Sequence, residues 1–209
     1  MINDPKITEY AKNHTTPESA LLQQIVVDTL QMQGNQMLSG RLVGQLLYML
    51  VRLSKAKRVL EMGTYSGYSA LMMAEALPVE GELITIDASK DNAKVAQRNF
   101  DESPDGKKIE LKIGKLNDLL PSLTGKFDLI FIDADKKTMI EYFEWAIKHL
   151  SAGGIIVIDN VLWKGLVLSS GTDAYAKAIV EFNDYVQQDK RVRNVVLPVG
   201  DGVMLVMKA

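Results

Sequence analysis

From residue 58 onward the chain alternates short apolar runs with longer segments of helical period, and the apolar runs stop abruptly in polar or acidic side chains. The runs fall at 58–62, 82–87, 109–114, 127–133 and 154–159, and helical segments at 68–77, 89–100, 136–150 and 172–188. Strand-sized apolar runs alternating with helices predict a parallel sheet wound by right-handed crossovers. The end of the chain breaks this alternation. Runs at 194–197 and 203–207 are joined by Pro198-Val199-Gly200-Asp201-Gly202, a link short enough for an antiparallel hairpin. Ahead of the sheet, Ala20, Leu21, Ile25, Val26 and Leu30 recur near helical spacing over 17–30, behind a Thr16-Pro17-Glu18 start signal. A polar loop over 31–39 and a second, more apolar helix over 41–53 follow. These helices are expected to pack on the sheet edge, where they could also cover a site or a partner subunit. The polar stretch 101–108, with Pro104 and Asp105-Gly106, reads as a surface loop.

A length of 209 residues fits a single domain over 1–209, with N-terminal helices over 1–56 and an α/β core over 57–209. A hydrophobic fraction of 47%, 24% charged residues and a net charge of -2 exclude a disordered or nucleic-acid-coating chain. Zero cysteines exclude disulfides, thiolate metal sites and cysteine nucleophiles. No secretory leader pattern and no apolar run of membrane-spanning length are present, so a cytoplasmic location and no membrane partner are expected. Lys107-Lys108 and Lys190-Arg191 with Arg193 read as solvated charge runs, and Met49, Met72 and Met73 as core. His149, near a helix end, suits the helix dipole, and neither it nor His14 is a catalytic candidate.

Chemistry in open α/β sheets gathers at the carboxyl ends of the strands. There the run Phe127-Asp128-Leu129-Ile130-Phe131-Ile132 ends in Asp133-Ala134-Asp135-Lys136, and its echo Ile155-Ile156-Val157-Ile158 ends in Asp159-Asn160. Asp133, Asp159 and Asn160 supply three hard oxygens from two strand ends, suited to Mg²⁺, Mn²⁺ or Ca²⁺, with Lys136 a step further on. Singly, each of these acids also suits a helix cap, and Asp135-Lys136 a surface ion pair. The first strand runs through Glu61 into Gly63-Thr64-Tyr65-Ser66-Gly67, a glycine-bearing turn that is not the dinucleotide fingerprint. Glu61 beside that turn repels a pyrophosphate and favours a cationic ammonium, which disfavours an NAD-dependent oxidoreductase. The next strand ends at Asp87, 24 residues after Gly63, where a carboxylate can accept from ribose hydroxyls. Together these point to a nucleoside cofactor without phosphates, for which S-adenosylmethionine fits best.

The chain resembles the metal-dependent, S-adenosylmethionine-dependent O-methyltransferases of the catechol and caffeoyl-coenzyme A type, including small bacterial relatives. The resemblance rests on Met37, Gly44-Gln45, the Leu60-to-Ser69 block, Phe131-to-Lys136, Asp159-Asn160-Val161-Leu162-Trp163 and Leu197-to-Val203. It implies a Rossmann-like class I methyltransferase fold: a seven-stranded, mostly parallel sheet with an antiparallel last strand and helices on both faces. Carried over by position, it implies Asp133, Asp159 and Asn160 as metal ligands and Lys136 as general base. It implies cofactor contacts at Met37, Ser39, Glu61, Gly63, Tyr65, Ser66, Ser69, Asp87, Ala88, Leu116, Asp133 and Asp135. Leu116 stands where the family often has alanine beside the adenine. A homodimer is implied as well.

Chelation by a divalent ion predicts a small aromatic diol as acceptor, with Trp163 and Tyr175 as candidate acceptor contacts. A cofactor-binding protein without catalysis would need no acceptor-side base, and a net charge of -2 gives no support for an RNA acceptor.

Overall fold

The structure, a computed structural model, describes residues 4–32, 38–169 and 171–209. Three helices come first, α1 (Pro5–Asn13), α2 (Ala20–Leu30) and α3 (Gly40–Ser54). The alternation then runs β1 (Arg58–Met62), α4 (Tyr68–Ala76), β2 (Glu82–Asp87), α5 (Lys90–Asp101), β3 (Ile109–Ile113), α6 (Leu116–Leu119), β4 (Phe127–Ile132), α7 (Met139–His149) and β5 (Leu150–Asp159). It closes with α8 (Ala174–Gln188) and the hairpin β6 (Val192–Leu197) and β7 (Val203–Lys208). The described residues form one seven-stranded sheet in the order β3-β2-β1-β4-β5-β7-β6. The β1, β2, β3, β4 and β5 ladders are parallel, and β7 is antiparallel to both β5 and β6. This is the sheet expected from the sequence.

Side chains alternate across each strand, so one strand feeds two cores. Leu60, Met62, Ile130 and Ile132 face Phe143 and Ile147 of α7 and Ile179 and Phe182 of α8. Val59, Leu129, Phe131 and Val157 face the other way, towards Leu71 and Met72 of α4 and Leu22, Ile25, Val43 and Leu47 of α2 and α3. Burial on both sides is why these strands read as continuous apolar runs. The N-terminal helices therefore cover a face of the sheet rather than its edge.

Several local readings change, each for a physical reason. The second helix starts after its expected cap. Ser19 is the N-cap, because Glu18 is drawn away to Arg41 Nε at 2.7 Å and Tyr68 OH at 2.9 Å. The N-terminal stretch forms α1, with Asp4 accepting from Lys6 N and Pro5 in the first turn. β5 begins at Leu150 because it pairs with Phe127 across a register shift. Lys108 is not solvated: its ammonium lies under the end of α4, donating to Ala74 O at 3.0 Å and Leu77 O at 2.9 Å and pairing with Asp105 at 2.7 Å. Arg191 does stay half exposed, paired with Glu144 and Asp189. Met72 and Met73 are core, whereas Met49 is exposed on α3.

Phe143 is fully buried and meets Phe182 and Tyr185 edge-on, with ring centroids 6.0 and 6.3 Å apart. Phe143→Ala is expected to cost about 3–5 kcal/mol. Urea unfolding should show a lower midpoint with an unchanged slope; a midpoint equal to wild type would contradict this packing.

Candidate active site

Four adjacent strands, β2, β1, β4 and β5, bring Asp87, Glu61, Asp133 and Asp159 to one edge of the sheet. A cavity of about 620 Å³ opens above it, lined by Leu38, Ser39, Gly63, Tyr65, Ser66 and Ser69 together with Asp133, Lys136, Asn160, Trp163 and Tyr175. A second cavity of about 330 Å³ shares Gly63, Asp87, Ala134 and Asp135 with it and is lined further by Ala88 and Leu116. Most of the residues singled out in the sequence thus converge on two adjoining cavities. Met37 lies outside the described residues.

The turn after β1 is built by backbone. Gly63 takes φ 104°, and a Cβ there would lie 2.1 Å from Asp133 O, so the ends of β1 and β4 meet only through a glycine. Gly67, at φ 82°, starts α4 without a side-chain cap. The first turn of that helix therefore presents its electropositive end beside the cavity. Asp87 closes the turn, accepting from Thr64 N at 3.2 Å, Tyr65 N at 2.8 Å and Ser89 N at 2.7 Å. Its carboxylate keeps lone-pair capacity for a further donor from the cavity it lines. Ser66 lines the same wall; its buried Oγ has no hydrogen-bond partner among the described residues, which marks a position for a ligand's polar group.

Glu61 does not reach the surface of either cavity. It is fully buried below the start of α4, accepting from Ser69 Oγ and Thr85 Oγ1, each at 2.5 Å, and Thr85 Oγ1 is itself 2.5 Å from Thr64 Oγ1. Burial pushes its carboxyl up to about 8, against the pull of the two hydroxyls, and the Asp133 and Asp87 charges add to the rise. Its link to the cavity runs through Ser69 and Thr64, which line it.

On the acceptor side, Lys136 sits in a 3₁₀ turn after β4 with its side chain almost wholly buried. Nζ donates to Asp133 Oδ1 at 2.9 Å and to Asp159 O at 3.4 Å. Lys136 therefore pairs with Asp133, not with Asp135, whose Oδ2 accepts from Thr138 Oγ1 at 2.7 Å. Asp159 is 2% exposed and lies behind Asn160, whose backbone N donates to Asp159 Oδ1 at 2.7 Å. Burial first and the Asp133 charge second hold the Asp159 carboxyl well above the ordinary range, with Lys136 offsetting part of the effect. Among the described residues no group of three or more His, Cys, Asp or Glu converges to hold a metal ion. The set on offer is two carboxylates and one amide. It suits a hard divalent cation, since two acids share one buried lysine and further positive charge is wanted.

Beyond Asn160 the chain turns sharply. Asn160, Trp163 and Lys164 all have left-handed torsions, at φ 62°, 44° and 54°; asparagine tolerates this region, whereas Trp163 and Lys164 each carry a strain of roughly 1–2 kcal/mol. This turn presents Trp163, whose ring lies 5.7 Å from that of Tyr175, with Lys137 Nζ 5.0 Å over the Tyr175 ring.

The family model for "O-methyltransferase" matches residues 12–209. The chain belongs to the O-methyltransferase family. A catechol O-methyltransferase of Niastella koreensis is 42% identical over 145 residues, 67% of this chain and 66% of that protein. A caffeoyl-CoA O-methyltransferase of Petroselinum crispum is 35% identical over 176 residues, 78% of this chain and 73% of that one. Among solved structures, the O-methyltransferase TomG of Streptomyces achromogenes in complex with SAM matches with a TM-score of 0.87 at 29% identity, covering 98% of this chain and 96% of that one. An O-methyltransferase of Bacillus cereus in complex with SAH matches with a TM-score of 0.88 at 28% identity over 100% of both chains. The fold is that of the Rossmann-like methyltransferases, and the chain is an S-adenosylmethionine-dependent O-methyltransferase. No described helix is long and apolar enough to cross a membrane.

Two features of this O-methyltransferase's site carried no role in the sequence. Thr85 lies mid-strand, set apart by its hydrogen bonds with Glu61 and Thr64. Asp201 lines the large cavity and accepts from Lys164 N; its signal was the Pro198-to-Gly202 turn, which marked a hairpin but no site.

The Glu61 carboxyl gives a pH dependence of known sign. A carboxyl raised in the fold stabilises fully below its unfolded value of 4.5, loses that contribution as pH rises, and has none left above about 8. Glu61→Gln is therefore expected to match wild type in melting temperature near pH 4.5 and to exceed it at pH 8 and above. A difference between the two proteins that does not change with pH would contradict the buried neutral acid.

Proposed function

We propose that this O-methyltransferase transfers the methyl group of S-adenosylmethionine to one hydroxyl of a small aromatic vicinal diol, with a divalent cation held by Asp133, Asp159 and Asn160. The observation that carries the reading is that Lys136, Asp133 and Asn160 line the same cavity as residues of the Gly63-to-Ser69 turn, with Asp159 directly behind Asn160. The names of the Niastella koreensis and Petroselinum crispum relatives support an aromatic diol acceptor.

On this reading the cofactor occupies the turn side. Asp87 accepts from the ribose hydroxyls, the orphaned Ser66 Oγ gains a partner, and the start of α4 faces the carboxylate of the methionine end. Glu61, accepting from Ser69 and Thr85 below the cavity, orients the Ser69 hydroxyl towards the ammonium at the same end. Ala88 and Leu116, in the adjoining cavity, flank the adenine. A bound divalent ion would chelate the two vicinal oxygens and acidify the hydroxyl to be methylated.

In the reacting complex Lys136 acts as the neutral amine: Nζ takes the hydroxyl proton and becomes the ammonium that pairs with Asp133. The oxygen attacks the methyl carbon in line with the departing sulfur, and the carbon–sulfur electron pair stays on sulfur, leaving S-adenosylhomocysteine. Trp163 and Tyr175 hold the acceptor ring, so that oxygen, carbon and sulfur align; much of the acceleration comes from that alignment.

The test is incubation with S-adenosylmethionine and catechols, including caffeic acid and a caffeoyl thioester, with Mg²⁺ or with chelator, following product by mass. Product is expected from the diols with Mg²⁺, none with chelator, and little from matched phenols lacking one hydroxyl. Lys136→Ala should lower kcat by about 10²–10⁴, the usual range for a general base. Methylation that persists in chelator would refute the metal, and failure of every diol would refute the acceptor.

A further inference from the structure

Three of the five non-glycine left-handed residues among those described, Asn160, Trp163 and Lys164, fall within one stretch of five positions. Such torsions persist only where the surroundings over-determine them. The surroundings here are the link between β6 and β7. Gly202 O accepts from Val161 N at 3.0 Å, Asp201 O accepts from Leu162 N at 3.0 Å, and Asp201 Oδ1 accepts from Lys164 N. From the other side Asn183 Nδ2 of α8 donates to Val161 O at 2.8 Å. Gly202 itself, at φ 87°, can carry no side chain, since a Cβ would lie 2.4 Å from Leu162 Cγ. The turn that carries Trp163 is therefore clamped backbone to backbone at Val161 and Leu162. At Lys164, where two strained residues adjoin, the clamp is a side chain.

We infer that Asp201 is a positioning residue for the acceptor: its hydrogen bond to Lys164 N holds Trp163 and Lys164 in their left-handed conformation and so fixes the Trp163 ring on the acceptor side of the cavity. The inference rests on the proposed function, in which that wall receives the aromatic diol. Asp201 also stands near enough to Asp159 for its charge to be felt there. A role as hydrogen-bond acceptor and a role as charge make opposite forecasts for the amide. Asn at this position keeps an Oδ1 that accepts from Lys164 N and loses the charge.

The experiment compares wild type, Asp201→Ala, Asp201→Asn and the double variant Asp201→Ala/Lys164→Gly in two readouts. With a catechol acceptor, Asp201→Ala is expected to raise acceptor KM by about tenfold, equivalent to about 1.4 kcal/mol. Asp201→Asn should stay within about twofold of wild type. Lys164→Gly should recover most of the loss, because glycine takes positive φ without steric cost. The affinity for S-adenosylhomocysteine, measured by calorimetry, should be the same in all four.

The second readout needs no turnover. In a Trp145→Phe background Trp163 is the only tryptophan, since the chain has two. Acrylamide quenching of its fluorescence should rise in Asp201→Ala, stay at the reference level in Asp201→Asn and fall back in the double variant. If wild type methylates no diol, the acceptor reading fails and quenching alone decides the positioning role. The inference is overturned if Asp201→Asn is as impaired as Asp201→Ala, if Asp201→Ala matches wild type in the readouts available, or if Lys164→Gly restores nothing.

Discussion

Crowding of carboxylates along one sheet edge is the constraint from which the rest of this site follows. Asp87, Glu61, Asp133 and Asp159 stand on four neighbouring strands, and two unit charges 4 Å apart repel by about 4 kcal/mol at an effective dielectric of 20. Such a row is tolerable only if each member is satisfied by a different means. Asp87 takes three backbone N–H groups, Glu61 two hydroxyls, Asp133 the Lys136 ammonium, and Asp159 the Asn160 amide. Positive charge is the scarce resource, with Lys136 the buried ammonium facing Asp133 and Asp159. Such an edge favours cations, and the proposed reading supplies them: an ammonium and a sulfonium from the cofactor and a dication beside Asp133.

The two halves of the cavity are held by different physics. The cofactor half rests on the glycine turn between β1 and α4, where Gly63 and Gly67 take positive φ without cost and Asp87 fixes the intervening amides. The acceptor half rests on residues that do not adopt such torsions freely, and a separate segment after β6 keeps them there. The strained residue of the first half, Tyr65 at φ 49°, is held by Asp87 from the neighbouring strand, whereas those of the second are held by the link between β6 and β7. That division suits an enzyme whose cofactor is constant and whose acceptor is selected by a loop.

The sequence carried the sheet because its strands are buried on both faces and so read as unbroken apolar runs, from Leu129 to Ile132 and from Ile156 to Ile158. The ends of those runs also exposed Asp133, Asp159 and Asn160, since a charge directly after a buried strand has nowhere to go except the crevice. Long-range pairings left no local trace. Glu18 looked like part of a helix start, yet its carboxylate is engaged by Arg41 and by Tyr68, 50 positions away. Lys108 looked like half of a solvated pair, yet it closes the carbonyl end of α4. Glu61 was placed at the cofactor by its position, and the structure sets it one layer deeper, acting through Ser69 and Thr64. Asp201 was visible only as a turn residue, because its partner Lys164 N lies 37 residues earlier and backbone amides have no sequence signature.

The proposed chemistry depends on two carboxylates and one side-chain amide at the ends of β4 and β5 holding a divalent cation. The direct measurement is a titration with Mn²⁺ followed by the loss of its free paramagnetic signal, on wild type, Asp159→Ala and Asn160→Ala in the presence of S-adenosylhomocysteine. One Mn²⁺ bound per chain in wild type, weakened at least tenfold in each variant while S-adenosylhomocysteine still binds, is the result expected. Equal Mn²⁺ binding by all three proteins, or none by a wild type that methylates its acceptor, would contradict the account.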